Sequence, residues 1–164
     1  MRFRMWLEGE VTEDTKSAIY KKATTTGIPA RHGESPNRHN RPYSTDPGDF
    51  GRGIYYDTSY HRAASYGRDV EKIILKFKNP LVVTADEAYK LSDKFETVRL
   101  SDKKWDELAG VGVDRKHDMI SKQLLKNAEA MTKNILSNGH DGLIVIHIRG
   151  NLEMVDYRPY ENTT

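Results

Sequence analysis

DFGRGIYYDTSYHRAASY, residues 49–66, sets three local signals side by side. Gly51 and Gly53 stand just ahead of an aromatic pair, Tyr55 and Tyr56, and glycine lets a backbone pass close to a ligand because no side chain intervenes. Asp57-Thr58-Ser59 reads as a polar turn, and the Ala-rich segment behind it as a short helix ending in Tyr66. Strand, turn and helix in that order put Tyr55 at the strand's end and Tyr66 one or two turns into the helix. Two phenol rings over a glycine floor can sandwich a flat ring, with stacking worth on the order of 1 kcal/mol beyond area burial. The plain alternative is a half-buried strand, for which Ile-Tyr-Tyr is equally suited, since aromatic and β-branched residues favour pleated surfaces.

Around this stretch the chain has 164 residues, the size of one domain with a real core. We expect a single domain over 1–164, with an N-terminal extension at 1–27 and the core at 28–160. Lys and Arg number 26 against 24 Asp and Glu, a net charge of +2, and the two signs are interspersed. That balance gives no electrostatic case for nucleic acid or a membrane surface. Cysteine is absent, which excludes disulfides, thiolate nucleophiles and Cys-based zinc sites. No run approaches the roughly 18 apolar residues of a membrane span, and MRFRMWLEGE lacks the apolar core of a secretory signal. The expectation is a soluble cytoplasmic protein, or one delivered into a host cell's cytoplasm, with no membrane partner.

Upstream of the central stretch, residues 2–11 carry conflicting periods and read as strand or short helix. A helix is expected from Thr12, its cap, to about Thr24, with Glu13 and Asp14 in the first turn and Ile19 and Ala23 on one face. Gly27 and Pro29 punctuate the chain. Residues 33–49 contain Pro36, Pro42 and Pro47 and read as an extended loop, of a length that tends to serve as a binding loop or lid. Downstream, 70–84 reads as a strand pair broken at Asn79-Pro80. Helices are expected over 86–95 and 102–109. A longer one is expected from after Asp118 to about Asn138, with Ile120, Leu124, Ala128, Met131 and Ile135 on one stripe and Gly139 as its stop. Two strands, GLIVIHI and LEMVDY, close the chain around the turn Arg149-Gly150-Asn151.

The central stretch resembles the second signature segment of the ADP-ribosyltransferase fold, in particular its poly-ADP-ribose-polymerase-like, His-Tyr-Glu branch. There a Gly-x-Gly-Ile-Tyr strand precedes a helix whose second tyrosine completes a nicotinamide clamp. Gly139-His140-Asp141-Gly142-Leu143-Ile144-Val145 followed by Glu153 at the head of the last strand is similar to that family's final catalytic segment. Ala30-Arg31-His32-Gly33 looks like its first-strand edge, with Trp6-Leu7-Glu8-Gly9 as a competing alignment that would set a carboxylate where the family has a donor or cation.

The resemblance implies an α+β fold of two small packed sheets with helices at one side and an NAD cleft between them. It also implies a set of roles. His32 would bond a ribose hydroxyl of the adenosine half, and the Gly33 backbone would meet the nicotinamide amide. Tyr55 and Tyr66 would flank the nicotinamide ring near Gly53, and Glu153 would face the 2'-hydroxyl of the nicotinamide ribose. Many family members carry a serine three residues before the second tyrosine. Here that position is Ala63, with Ser65 close by. Two residues before Glu153 stands Asn151, where relatives have Glu or Gln, so the acceptor's residue type stays open.

The activity so implied is NAD-dependent transfer of ADP-ribose, once per site, to a macromolecular acceptor, protein ahead of nucleic acid, in the manner of a toxin or phage-encoded effector. NAD is the substrate, and no metal is expected, since His32, His39 and His61 follow no metal-ligand spacing. The chemistry suits these residue types. Breaking the nicotinamide–ribose bond moves positive charge onto the sugar through an oxocarbenium-like state, and a carboxylate on the 2'-hydroxyl meets charge that grows during reaction. The alternatives are NAD hydrolysis at the same site, an RNA 2'-phosphotransferase, for which no set of basic contacts is found, and a non-catalytic module that binds NAD or ADP-ribose.

Overall fold

The computed structural model describes residues 11–34, 48–95 and 113–161. The segment holding Trp6–Gly9, the proline-rich stretch 35–47 and the helix expected over 102–109 lie outside the described residues.

The first element among the described residues is helix α1, Glu13–Thr24, where the Thr12 hydroxyl accepts a hydrogen bond from the Thr15 amide, as its capping pattern predicts. Strand β1 spans Ile28–Glu34, so Pro29 stands inside a strand rather than in a break. It is tolerated because β2 reaches β1 only at Arg31, leaving β1 with a single neighbour at Pro29 among the described strands. Then follow β2 (Ile54–Asp57), α2 (Tyr60–Tyr66), β3 (Asp69–Leu75), β4 (Leu81–Thr84) and α3 (Ala85–Asp93). The long helix α4 (Val113–Ser137), β5 (Gly142–Ile146), β6 (Leu152–Asp156) and the single turn α5 (Arg158–Glu161) complete the order. α4 begins earlier than its apolar stripe suggests, since Asp-Arg-Lys-His at 114–117 carries no apolar periodicity to announce a helix. It ends as expected at Gly139, which adopts φ +89°.

The described strands form one mixed sheet in the order β3-β1-β2-β6-β5-β4. Class α+β holds, but the expected pair of packed sheets does not. β2 pairs antiparallel with β6 along its whole length, Ile54 opposite Asp156 through Asp57 opposite Glu153, and this ladder fuses the two halves. The expected strand pair at 70–84 is also corrected, because β3 and β4 lie at opposite edges. Between them the backbone donors find other partners. Phe77 N–H bonds the Ala23 carbonyl, and the amides of Lys78 and Asn79 bond the Asp141 carboxylate at 2.7 and 3.0 Å. With those donors satisfied the chain crosses over, and β4 joins β5 in parallel.

Each face of the sheet buries its own core. On one, α1 supplies Ala23 and Ile19 against Ile28, Ala30, Leu75, Phe77, Ile144 and Met154. On the other, Ala88 of α3 and Met131 and Ile135 of α4 pack on Leu143, Val145, Val155 and Tyr157. Residue alternation then sorts the strands. Tyr55, Asp57, Val145 and Glu153 share the face of α3 and α4, and Tyr56 and Met154 take the face of α1.

Candidate functional site

The turn ahead of β2 is held rigidly. Phe50 donates its amide to the Tyr55 hydroxyl at 3.0 Å, and that hydroxyl donates to the Gly51 carbonyl at 2.5 Å. The buried Tyr157 hydroxyl donates to the Phe50 carbonyl at 2.5 Å. From α4, the Thr132 hydroxyl accepts the Arg52 amide at 2.8 Å, and Glu129 pairs with the Arg52 guanidinium at 2.7 Å. Tyr55 therefore enters β2 with both its ring and its hydroxyl fixed. Gly53 is packed rather than open, because a Cβ there would meet the Asp156 carbonyl at 2.6 Å and the Val155 side chain at 2.7 Å. Its smallness serves the contact with β6, not a cleft floor.

α2 lies on the same face, where β1 makes room for it at Gly33. A Cβ on Gly33 would stand 1.9 Å from the Ala63 carbonyl oxygen. This approach brings Tyr66, the last residue of α2, to Tyr55. Their ring centroids are 6.4 Å apart at 38°. A flat ring between two others needs two layers of van der Waals contact, about 7 Å in all. The pair is within about 0.6 Å of that spacing, and Tyr66, 39% exposed at a helix end, is the partner with freedom to open it. Burial, followed by the charge of Glu153, pushes the Tyr66 phenol up to about 12. Burial also holds the Tyr55 phenol well above its ordinary value, with Tyr157 and Glu153 adding to the effect.

Glu153 stands on β6 between β2 and β5, opposite both Asp57 and Val145, and is 2% exposed. One carboxylate oxygen, Oε1, lies 2.8 Å from His147 Nε2. The other, Oε2, is buried with no hydrogen-bond partner among the described residues. Beside it Asp57, 1% exposed, accepts from the Ser59 amide at 2.7 Å and from the Asn151 side chain at 3.1 and 3.2 Å. Burial raises the Asp57 carboxyl above its usual value and the nearby Glu153 adds to the rise, while the Ser59 and Asn151 bonds and the nearby His147 oppose it.

Of the residues singled out from the sequence, Glu153, Tyr55 and Tyr66 come together on one face, with Gly33 under α2. His32 goes elsewhere. Strand alternation turns it to the face of Tyr56, with ring centroids 5.3 Å apart, and its Nδ1 lies 2.7 Å from the Tyr55 carbonyl. Ser65 donates to the Arg62 carbonyl of its own helix and is exposed. Asp57 and His147 join the group without having been marked by any motif. The hairpin register held the clue to His147: it lies two residues beyond Val145 on the same alternation, and Val145 is opposite Glu153.

Among the described residues no group of His, Cys, Asp or Glu side chains stands where it could hold a metal ion, and no helix is long and apolar enough to cross a membrane. No protein-family model matches the chain, and no curated protein matches it. A crystal structure of an anti-CRISPR protein aligns over 79% of this chain and 88% of its own, at 15% identity and a TM-score of 0.32. A likeness that loose carries no argument, so the site is read from its own geometry.

Proposed function

We propose that this chain is an NAD-dependent ADP-ribosyltransferase that cleaves the nicotinamide–ribose bond and passes ADP-ribose, once per site, to a macromolecular acceptor, protein ahead of nucleic acid. The observation that carries this reading is the Glu153 carboxylate. It is sealed in the sheet beside a tyrosine pair, with Oε1 bonded and Oε2 left without a donor among the described residues. Leaving a buried polar atom unpaired costs about 1–3 kcal/mol and more when it is charged. Such an atom makes sense where a ligand brings the missing donor, and a sugar hydroxyl is a donor of the right kind.

In this reading Tyr55 and Tyr66 receive the cationic nicotinamide ring, whose attraction to the phenol faces is spent on binding. Glu153 accepts from the 2'-hydroxyl, and its charge meets the positive charge that grows on the sugar as the bond breaks. Gly33, whose backbone the resemblance sets at the nicotinamide amide, lies against the Ala63 carbonyl at the edge of the same group. His32 does not take the role the resemblance gives it: from the face of Tyr56 it holds the Tyr55 carbonyl.

The test is incubation of the protein with adenine-labelled NAD and a cell lysate, beside a Glu153→Ala control. Label on protein, absent from the control, is the expected result. Label on nucleic acid would change the acceptor, and free ADP-ribose alone would make water the acceptor. Binding without turnover would leave a nucleotide-binding module, and neither binding nor turnover would end the proposal.

A further inference from the structure

Resting on that reading of Glu153, we infer that His147 is the positioning residue for its carboxylate, fixing the plane of the group so that Oε2 alone is presented to the ligand. An ionised carboxylate only accepts hydrogen bonds, so with Glu153 as the charged acceptor that the reading requires, the 2.8 Å contact between His147 Nε2 and Glu153 Oε1 has Nε2 as the donor. Both the neutral Nε2–H tautomer and the imidazolium can donate. The terminal torsion of a glutamate is broad and has no strong preference of its own. Without a donor on one oxygen the carboxylate plane would turn about that torsion, and neither oxygen would hold a set direction towards a sugar hydroxyl.

The imidazole is itself set by the hairpin. His147 donates its amide to the Asn151 carbonyl at 3.0 Å and accepts the Gly150 amide at 2.9 Å, which closes the turn. The far side of the turn is tied to β2 and the residue after it. Asn151 reaches both oxygens of Asp57, Leu152 donates its amide to the Thr58 hydroxyl at 3.0 Å, and Thr58 donates its amide to the Leu152 carbonyl at 3.0 Å. Asn151 is thereby committed to Asp57. The side chain of this turn that addresses Glu153 is His147, six residues before it in sequence and 18% exposed at its rim. Its contribution acts through Glu153, not on the ligand.

Two substitutions separate this role from its competitors. His147→Gln keeps an N–H donor near the position of Nε2, and His147→Phe keeps the ring's bulk without the donor. Turnover of NAD by His147→Phe should fall by about tenfold to a hundredfold in kcat, the usual consequence of losing a bond to a charged group, with KM within about twofold. His147→Gln should recover most of that loss. Equal loss in both variants would overturn positioning in favour of proton transfer by the imidazole, and full activity in His147→Phe would make the pair structural only. Thermal unfolding of both variants shows whether either loss comes from misfolding, and a Gln variant that folds yet is as inactive as the Phe variant still counts against the proposal.

A second readout does not depend on turnover. Nitrogen-15 NMR of wild-type His147 should show a protonated Nε2, and the hydrogen-bonded shift should disappear in Glu153→Ala. A neutral Nδ1–H tautomer in the wild type overturns the positioning role directly. If Nε2 is protonated but the wild type neither binds nor cleaves NAD, the nucleotide reading is what has failed, and the proposal for turnover falls with it.

Discussion

Asp57 and Glu153 face each other across the β2–β6 ladder as register partners, two carboxylates on one side of a sheet with almost no solvent exposure. Like charges directly opposite each other in a sheet destabilise it, and here the mismatch is divided unequally. Asp57 takes the amide donors of Ser59 and Asn151, whereas Glu153 takes a single imidazole.

The raised Asp57 carboxyl gives a pH dependence whose sign is set by linkage. Between the ordinary aspartate value of 3.8 and its raised folded value the native state holds the proton more tightly than the unfolded chain. Stability contributed by this group is therefore greatest below 3.8 and declines as pH rises through that window. Asp57→Asn should flatten that decline. Urea midpoints measured at several pH values from about 4 to 7 check it, and an unchanged slope in the variant would show that other groups govern the trend.

Glu153→Gln preserves an oxygen for His147 to bond while removing the charge. Since the charge is what meets the developing cation, kcat for NAD should fall about a hundredfold or more with nucleotide affinity little changed. Steady-state turnover together with equilibrium dialysis of labelled NAD separates the two quantities. A matched fall in affinity with kcat preserved would move Glu153 from chemistry to binding.

Tyr66 offers its ring to a ligand from a half-open position, so its removal should register as binding. Tyr66→Ala should weaken NAD about fivefold, corresponding to about 1 kcal/mol of stacking, and Tyr66→Phe should restore affinity because the face of the ring, not the hydroxyl, makes the contact. Nicotinamide inhibition constants for the two variants provide the measurement.

Gly33→Ala tests the seat of α2. The new methyl group would overlap a backbone oxygen of Ala63, which cannot rotate away as a side chain would. Overpacking of this kind costs about 1–3 kcal/mol, equivalent to a melting temperature lowered by roughly 5 °C in a domain of this size. Because α2 carries Tyr66, nucleotide affinity should fall alongside. A variant with unchanged melting temperature would mean that the helix has room to shift.

How much of the site was legible depended on how far apart its parts lie along the chain. Tyr55, the polar turn and Tyr66 fall within one short stretch, where glycine, turn and helix signals adjoin, and β2 and α2 form there as expected. The closing hairpin was equally readable, since GLIVI and LEMVD flank a turn. The pairing of Asp57 with Asn151 was not, because 94 residues separate them and no local pattern records which strands become neighbours. The placement of His32 failed for a related reason. Its type and its glycine neighbour matched the resemblance, but the strand's alternation decides the face, and β1 turns His32 to the face of Tyr56.

The sequence by itself determined most of the described elements, since apolar spacing, caps and breakers act over a few residues, but not the strand around Pro29 or the early start of α4. It located the tyrosine pair for the same reason, whereas the last-strand glutamate stood out only through the family resemblance. Only the tertiary structure decided that β2 joins β6, sending β3 and β4 to opposite edges and making one sheet of two expected halves. That ladder sets Glu153 beside Asp57 and on the face of the tyrosines, while the closing of the hairpin brings His147 to its carboxylate. Burial and partnership are properties of register, and register is fixed by contacts between segments far apart in the chain.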